Sequence, residues 1–169
     1  MAGAQDYPVN AVHVIRTAQQ INVQLSAMAD QKASILMGAA FVIFTIAINQ
    51  ARSATPPLPL LILGATAFTA AVFAVLAIMP ALGGKRPRAP ANLLFFGCYA
   101  HLSEEEFTEA MLATIRTDEA GFRAMLRDMH QNGIVLARKK YRMLAYAYRA
   151  FLLGMSASLA AFIIERLAI

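Results

Sequence analysis

A single cysteine, Cys98, stands in the 169 residues, so no internal disulfide can form. No Cys/His spacing suggests zinc either, and His13, His101 and His130 lie far apart and read as polar surface residues. Charge is scarce: 15% of residues are charged, against about 25% in a typical soluble domain. The chain has no Gly-rich phosphate loop, no GxSxG elbow, no HExxH pair, and no paired carboxylates beside a histidine. On residues alone these gaps argue against an enzyme, and no catalytic residue, metal or cofactor is expected. Residues 1–30 lack a basic segment followed at once by an apolar core and a cleavage site. No removable signal peptide is therefore expected, and the first apolar stretch would act as an uncleaved signal-anchor.

The chain is instead rich in apolar residues, 59% of the total, and they are gathered in blocks at 33–49, 58–82 and 143–165. Positive charge is sorted around these blocks. If the N-terminus starts inside, only Arg52 and Arg166 of the 15 Lys and Arg residues lie outside, with Arg149 just within the third block. That asymmetry is the positive-inside pattern and sets an orientation. It predicts a multi-pass inner-membrane protein with a cytoplasmic N-terminus. The basic residues flank the spans, where they meet anionic headgroups, and seven acidic residues between Glu104 and Asp128 dilute them, so nucleic acid is not an expected partner.

The expected fold class is an all-α membrane protein: three transmembrane helices, with a cytoplasmic helical region built from helix extensions and a short helical insert. Residues 1–8 read as disordered. Val14, Ala18, Ile21, Leu25 and Met28 then recur at spacings of four and three, the stripe of a helix with a coiled-coil-like seam. No Pro or Gly follows Pro8 until Gly38, so residues 9–32 and the first span, 33–49, should form one helix. That span, at about 1.5 Å per residue, reaches about 26 Å against a hydrocarbon core of about 30 Å. Ser34 and Gly38, and Gly154 and Ser158, are spaced as small residues are where helices approach closely. Prolines 56, 57 and 59 mark an external turn at 51–57, span two is placed at 58–82, and Gly and Pro residues open a cytoplasmic region at 83–142. The whole reads as a single domain.

Within that region, residues 92–102 are apolar and aromatic but too short to cross a bilayer; a strand-like, irregular or interfacial piece is open. Ser103 with Glu106 is a capping box, and Glu104 and Glu105 favour the same helix start. Phe107, Met111, Thr114 and Ile115 should make its apolar face. Thr117 with Asp118 and Glu119 starts the next helix, with Phe122, Met125, Leu126, Met129 and Leu136 as its buried stripe. Asn132 and Gly133 interrupt it weakly, and it should run on into the third span, 143–165.

Two groups of charged residues stand out. Asp30 sits at the water–membrane border, where an unpaired carboxylate is costly. Pairing with Lys139 or Arg142 would fix helix register; a ligand role is the alternative. Arg123 and Arg127, four apart on one helix face, could with Arg116 hold a phosphate while Phe96 or Tyr99 stacks a base. The alternative is a solvated face neutralised by Glu119 and Asp128.

Three stretches carry a family resemblance. The first is Gln24-Leu25 with Ala29-Asp30-Gln31-Lys32-Ala33-Ser34-Ile35-Leu36; the second is Asn92-Leu93-Leu94-Phe95-Phe96-Gly97 with Tyr99 and Leu102-Ser103-Glu104-Glu105-Glu106-Phe107; the third is Lys140-Tyr141-Arg142-Met143-Leu144 with Tyr148 and Phe151. From about residue 19 to 154 their order and spacing resemble the transmembrane effector family of the bacterial Pycsar anti-phage systems. The resemblance implies a mechanism: a cyclase makes cyclic UMP or cyclic CMP after infection, and the effector binds it and impairs the inner membrane, causing abortive infection. The expected partners are then that nucleotide, membrane lipid and further copies of the chain. Asn92, Phe96, Tyr99, Arg116, Arg123 and Arg127 are the candidate ligand contacts. Two readings stand beside it: a constitutive membrane scaffold or small-channel subunit without nucleotide, and a lipid-acting enzyme built on Asp30, Tyr99, His101 and the three glutamates.

Overall fold

A computed structural model describes residues 7–51, 56–80 and 92–167. Among these residues there is no strand, and the chain is an all-α, membrane-type fold. The helices are α1 (Ala11–Gln50), α2 (Leu58–Ile78), α3 (Phe96–Tyr99), α4 (Glu104–Thr114), α5 (Asp118–Val135) and α6 (Arg142–Leu167). A π-helical stretch, Leu136–Tyr141, joins α5 to α6 without a break. Three helical runs are long and apolar enough to cross a membrane: Ala11–Gln50, Leu58–Ile78 and Asp118–Leu167.

Local chemistry explains the ends. The structure of α1 begins after a turn in which the Ala11 N–H donates to the Pro8 carbonyl at 2.8 Å. Pro57, held extended at φ −65° and ψ 139°, precedes α2, and Pro59 occupies its first turn, where a missing N–H costs nothing. At the other end Met79 is extended at ψ 128° because Pro80 follows and disfavours a helical predecessor. Ser103 and Glu106 form a reciprocal capping box on α4, at 3.2 and 2.8 Å. The Thr117 hydroxyl caps α5 by accepting from Ala120 N–H at 3.3 Å. Residues 92–102, open between three readings in sequence, form a turn and the single helical turn α3. The predicted disorder of residues 1–6, most of the external turn and the Gly/Pro linker lie outside the described residues.

The described residues form two compact units. One comprises 7–25, Pro80 and 92–136; the other comprises 26–51, 56–79 and 137–167. The second contains the membrane-length parts. Its centre is built from alanines: Ala40, Ala67 and Ala70 are buried, with Ile43, Phe44, Ala71, Ala150 and Phe151 packed around them. Without a hydrophobic drive in lipid, such small residues let helices approach closely and gain dispersion contacts. Gly154 is the extreme case, since an added Cβ would lie 1.9 Å from the Thr66 hydroxyl oxygen. Ser158 donates to the Pro59 carbonyl at 2.8 Å. The Gly154/Ser158 pair therefore sits at a helix contact, whereas nothing comes within 4 Å of a Cβ built on Gly38. Thr45, Thr66 and Thr69 each donate to a carbonyl of their own helix, at 2.9, 2.8 and 2.8 Å, so their hydroxyls are satisfied at membrane depth.

The seam on α1 faces differently from what its apolar content suggests. Val14, Ile21, Leu25 and Met28 are exposed, and the polar off-stripe residues Gln19 and Asn22 make the contacts to α5. Leu126 on α5 and Ile115 after α4 also point outward rather than into the buried stripes predicted for them.

Candidate functional site

In the unit holding α3, α4 and α5, a cleft of about 380 Å³ opens between the segment before α3 and the two helices. Its lining is Leu93, Leu102, Ala110, Thr114 and Ala124, with the buried Asn92 and the exposed Arg127. Small-molecule sites are commonly clefts of roughly 300–1,000 Å³ with mostly apolar walls and a few polar groups, and this cleft fits that description.

Asn92 is the one buried polar residue among those described, at 5% exposure. Its amide Nδ2 donates to Asp128 Oδ1 and to Gln131 Oε1, each at 3.0 Å, and its Oδ1 accepts from the Leu94 N–H at 3.1 Å. Both N–H groups are thus committed, and Asn92 anchors the segment that enters α3. Asp128 is the hub: its Oδ2 also accepts from Asn132 at 3.0 Å and from Gln19 of α1 at 3.3 Å. Asn22 adds a bond to the Met129 carbonyl at 3.4 Å. This network leaves no buried side-chain N or O without a partner among the described residues. It also ties α1, the segment at 92–94 and α5 together around the cleft.

The predicted cluster of ligand contacts is therefore divided. Asn92 and Arg127 come together at the cleft, and Arg127 makes no ion pair with any described residue. Arg123 points elsewhere: its Nη2 and Nε bond Glu119 Oε1 at 2.6 and 2.8 Å on the solvent face. That hydrogen bond, with the carboxylate charge, raises the Arg123 guanidinium above its ordinary pKa, so it stays charged and occupied. Arg116 is exposed beyond the end of α4 and does not line the cleft. Phe96 packs beside Phe95 at 5.0 Å between ring centres, and Tyr99 beside Phe107 at 4.9 Å, so neither ring lines the cleft. Gln19 and Gln131 carry no sequence signal as site residues, and Asp128 reads there only as a charge that neutralises the arginine face. Their signal was a set of polar residues at helix positions facing a neighbour, which looks like ordinary surface until the partner helix is known.

The expected border pair is corrected in the structure. Asp30 is held by Lys140, with Nζ at 2.6 and 2.8 Å from its two oxygens, rather than by Lys139 or Arg142. The same ammonium donates to Ser26 Oγ at 2.8 Å. Lys139 instead donates to the Met79 carbonyl at 2.8 Å, completing the C-terminal end of α2, and Arg142 is exposed. A second cavity, of about 580 Å³, lies in the membrane-length unit, lined by Pro59, Leu63, Leu159 and Phe162 together with the polar Gln50, Glu165 and Arg166.

Neither the curated proteins nor the solved structures yield a match to this chain. Among known families, residues 13–165 match the one described as the Pycsar effector protein domain. With that match covering the border pair, all three spans and the cleft, the chain belongs to the Pycsar effector (PycTM) family.

Proposed function

We propose that the chain is the membrane-impairing arm of its Pycsar anti-phage system and that it answers directly to cyclic UMP or cyclic CMP. A cyclic pyrimidine nucleotide carries one phosphodiester charge on a compact body with a flat base. Arg127 offers a free guanidinium for that charge, and the apolar walls behind it suit a base and ribose. The single observation that carries the reading is this unpaired arginine lining a ligand-sized cleft in a chain of this family. The protein acts by binding, with no catalytic step. It lies in the inner membrane with its N-terminus and cleft on the cytoplasmic side, where the cyclase product accumulates.

The output is a change in the membrane part. A ligand shifts an equilibrium only by its differential affinity for two states. Nucleotide in the cleft would bear on the Asn92–Asp128–Gln19 network, and through it on α1, which continues into the first span. The altered membrane part, acting as a homo-oligomer, then compromises the bilayer and halts the infected cell.

Calorimetry on detergent-purified protein tests the first step. Heat is expected with cyclic UMP or cyclic CMP and not with the corresponding linear monophosphate, and Arg127→Ala should remove it while leaving the helical content unchanged. No heat with either cyclic nucleotide from folded protein overturns the reading. Growth arrest that needs no cyclase would do the same, since it belongs to a constitutive channel.

A further inference from the structure

The cavity of about 580 Å³ in the membrane-length unit lies between the start of α2 and the last turns of α6. On α6 its lining is Met155, Leu159, Phe162, Glu165 and Arg166, at spacings of three and four that turn one helix face toward it. Leu60 and Leu63 line it from α2. The polar groups in these walls are satisfied. The Pro57 carbonyl accepts from the Leu60 N–H at 3.0 Å, and the Ser158 hydroxyl donates to the Pro59 carbonyl at 2.8 Å. Gln50, also in the lining, is already engaged.

The two charges are not satisfied. Glu165 is half-buried, stands in the last turn of α6 beside the negative end of the helix dipole, and makes no ion pair with any described residue. Arg166 does not relieve it, since neighbours in sequence do not face each other on a helix. Instead the Arg166 guanidinium lies over the Phe162 ring, 5.4 Å from its centre, which holds its plane and leaves its N–H edge for a further partner.

Depth says what that partner is. At about 1.5 Å per residue, Glu165 lies about 35 Å along α6 from Arg142, just more than the hydrocarbon core of about 30 Å. The charged pair therefore stands at the headgroup level of the leaflet opposite the Asp30–Lys140 border. Met155, about 15 Å back along the helix, stands at acyl depth. One cavity thus joins an apolar wall to an anion and a cation at headgroup height.

We propose that this cavity binds one phospholipid whose headgroup carries a primary ammonium beside its phosphate. The phosphate meets Arg166, the ammonium meets Glu165, and an acyl chain lies along Leu63, Leu159 and Met155. An anionic headgroup would set a like charge against Glu165. A quaternary ammonium has no N–H to give it, whereas a primary ammonium donates charge-assisted hydrogen bonds. The site requires that the three helices cross a bilayer, and it requires no nucleotide.

Native mass spectrometry of the delipidated full chain in detergent tests it, with phosphatidylethanolamine, phosphatidylcholine and phosphatidylglycerol of matched acyl chains as probes. Phosphatidylethanolamine should give one adduct per chain, about tenfold tighter than the other two, the scale of one charge-assisted hydrogen bond. Glu165→Gln should erase that preference, and Glu165→Lys should turn it toward phosphatidylglycerol. Leu159→Trp, which fills the cavity, should weaken all three, while Arg142→Gln at the opposite border should change nothing. Equal binding of the three lipids by the unaltered chain overturns the proposal, as does a preference that survives Glu165→Gln. A ladder of adducts with no tighter first step means general solvation by lipid and overturns it too. The reversal in Glu165→Lys is a gained signal, which a misfolded variant cannot imitate. Calorimetry with nucleotide reads a different unit of the chain, so either reading can fall alone.

Discussion

At the scale of single residues, two carboxylates carry most of what is specific. Asp30 and Lys140 are only partly exposed, at 38% and 18% of their side chains, and each is the other's charge partner. Hydrogen bonds to charged groups contribute about 1.5–3 kcal/mol. Lys140→Ala should therefore lower the thermal stability of purified protein by a large part of that range, about 1–2 kcal/mol after solvent screening. Arg142→Ala, at an exposed position, should move it far less. Equal losses from the two variants would show that border charge in general matters, not this pair. Asp128 gathers donors from Gln19, Asn92 and Asn132. Asp128→Ala leaves one N–H of the buried Asn92 amide without its partner, while Gln131 and the Leu94 N–H still hold the rest; this should cost about 1–3 kcal/mol and raise amide exchange in 92–99. That a partner of Asp30 would exist was legible from the sequence, but its identity was not. Lys140 precedes Ala147 and Gly154 by one and two heptads, so the inward face of α6, extended backward, points to it. That face shows itself only once the small residues are known to be buried.

At the scale of elements, caps and prolines were legible because they act within a few residues. Ser103 and Glu106 satisfy each other's backbone in the structure as their spacing predicted. Ser103→Ala should cost about 1 kcal/mol, read as fraying of α4 in amide exchange, and Ser103→Asp should restore most of it. The packing partner of each helix was not legible, because amphipathicity gives a face and not what covers it. The N-terminal part of α1 illustrates this: its apolar Val14 and Ile21 are exposed, and its polar Gln19 and Asn22 meet α5. Nor did composition announce the π turn at Leu136–Tyr141, which depends on a hydrogen-bond shift rather than on a residue signal. Close helix contact in the membrane part yields a sharper test. A Cβ at position 154 meets Thr66 Oγ1 at 1.9 Å and Thr66 Cβ at 2.3 Å, which no rotamer of threonine relieves. Gly154→Val should then destabilise by about 1–3 kcal/mol in detergent unfolding. Thr66→Gly in the same chain should recover much of the loss. Without such recovery, Gly154 matters for helix flexibility and not for this contact.

At the scale of the whole molecule, the fold class followed from the blocks of apolar residues, and the orientation argument follows from charge. Where all three membrane-length helices cross, the N-terminal end of α1 and the C-terminal end of α6 lie on opposite sides of the membrane. With 13 of the 15 Lys and Arg residues on or next to one side, counting Arg149, insertion should fix the N-terminus and residues 92–135 inside. An alkaline phosphatase fusion after Ile169 should be active, and one after Glu109 inactive, with the reverse for a fluorescent-protein reporter. The result bears on function through access alone. A cyclic nucleotide made in the cytoplasm does not cross the bilayer, so Arg127 can meet it only from that side. Phosphatase activity at Glu109 would place the cleft outside and end the nucleotide reading, while the Asp30–Lys140 pair and the Gly154–Thr66 contact would stand unchanged. Membership of the effector family is likewise indifferent to that outcome. Topology is therefore the one measurement that separates what this chain is from how its signal reaches it.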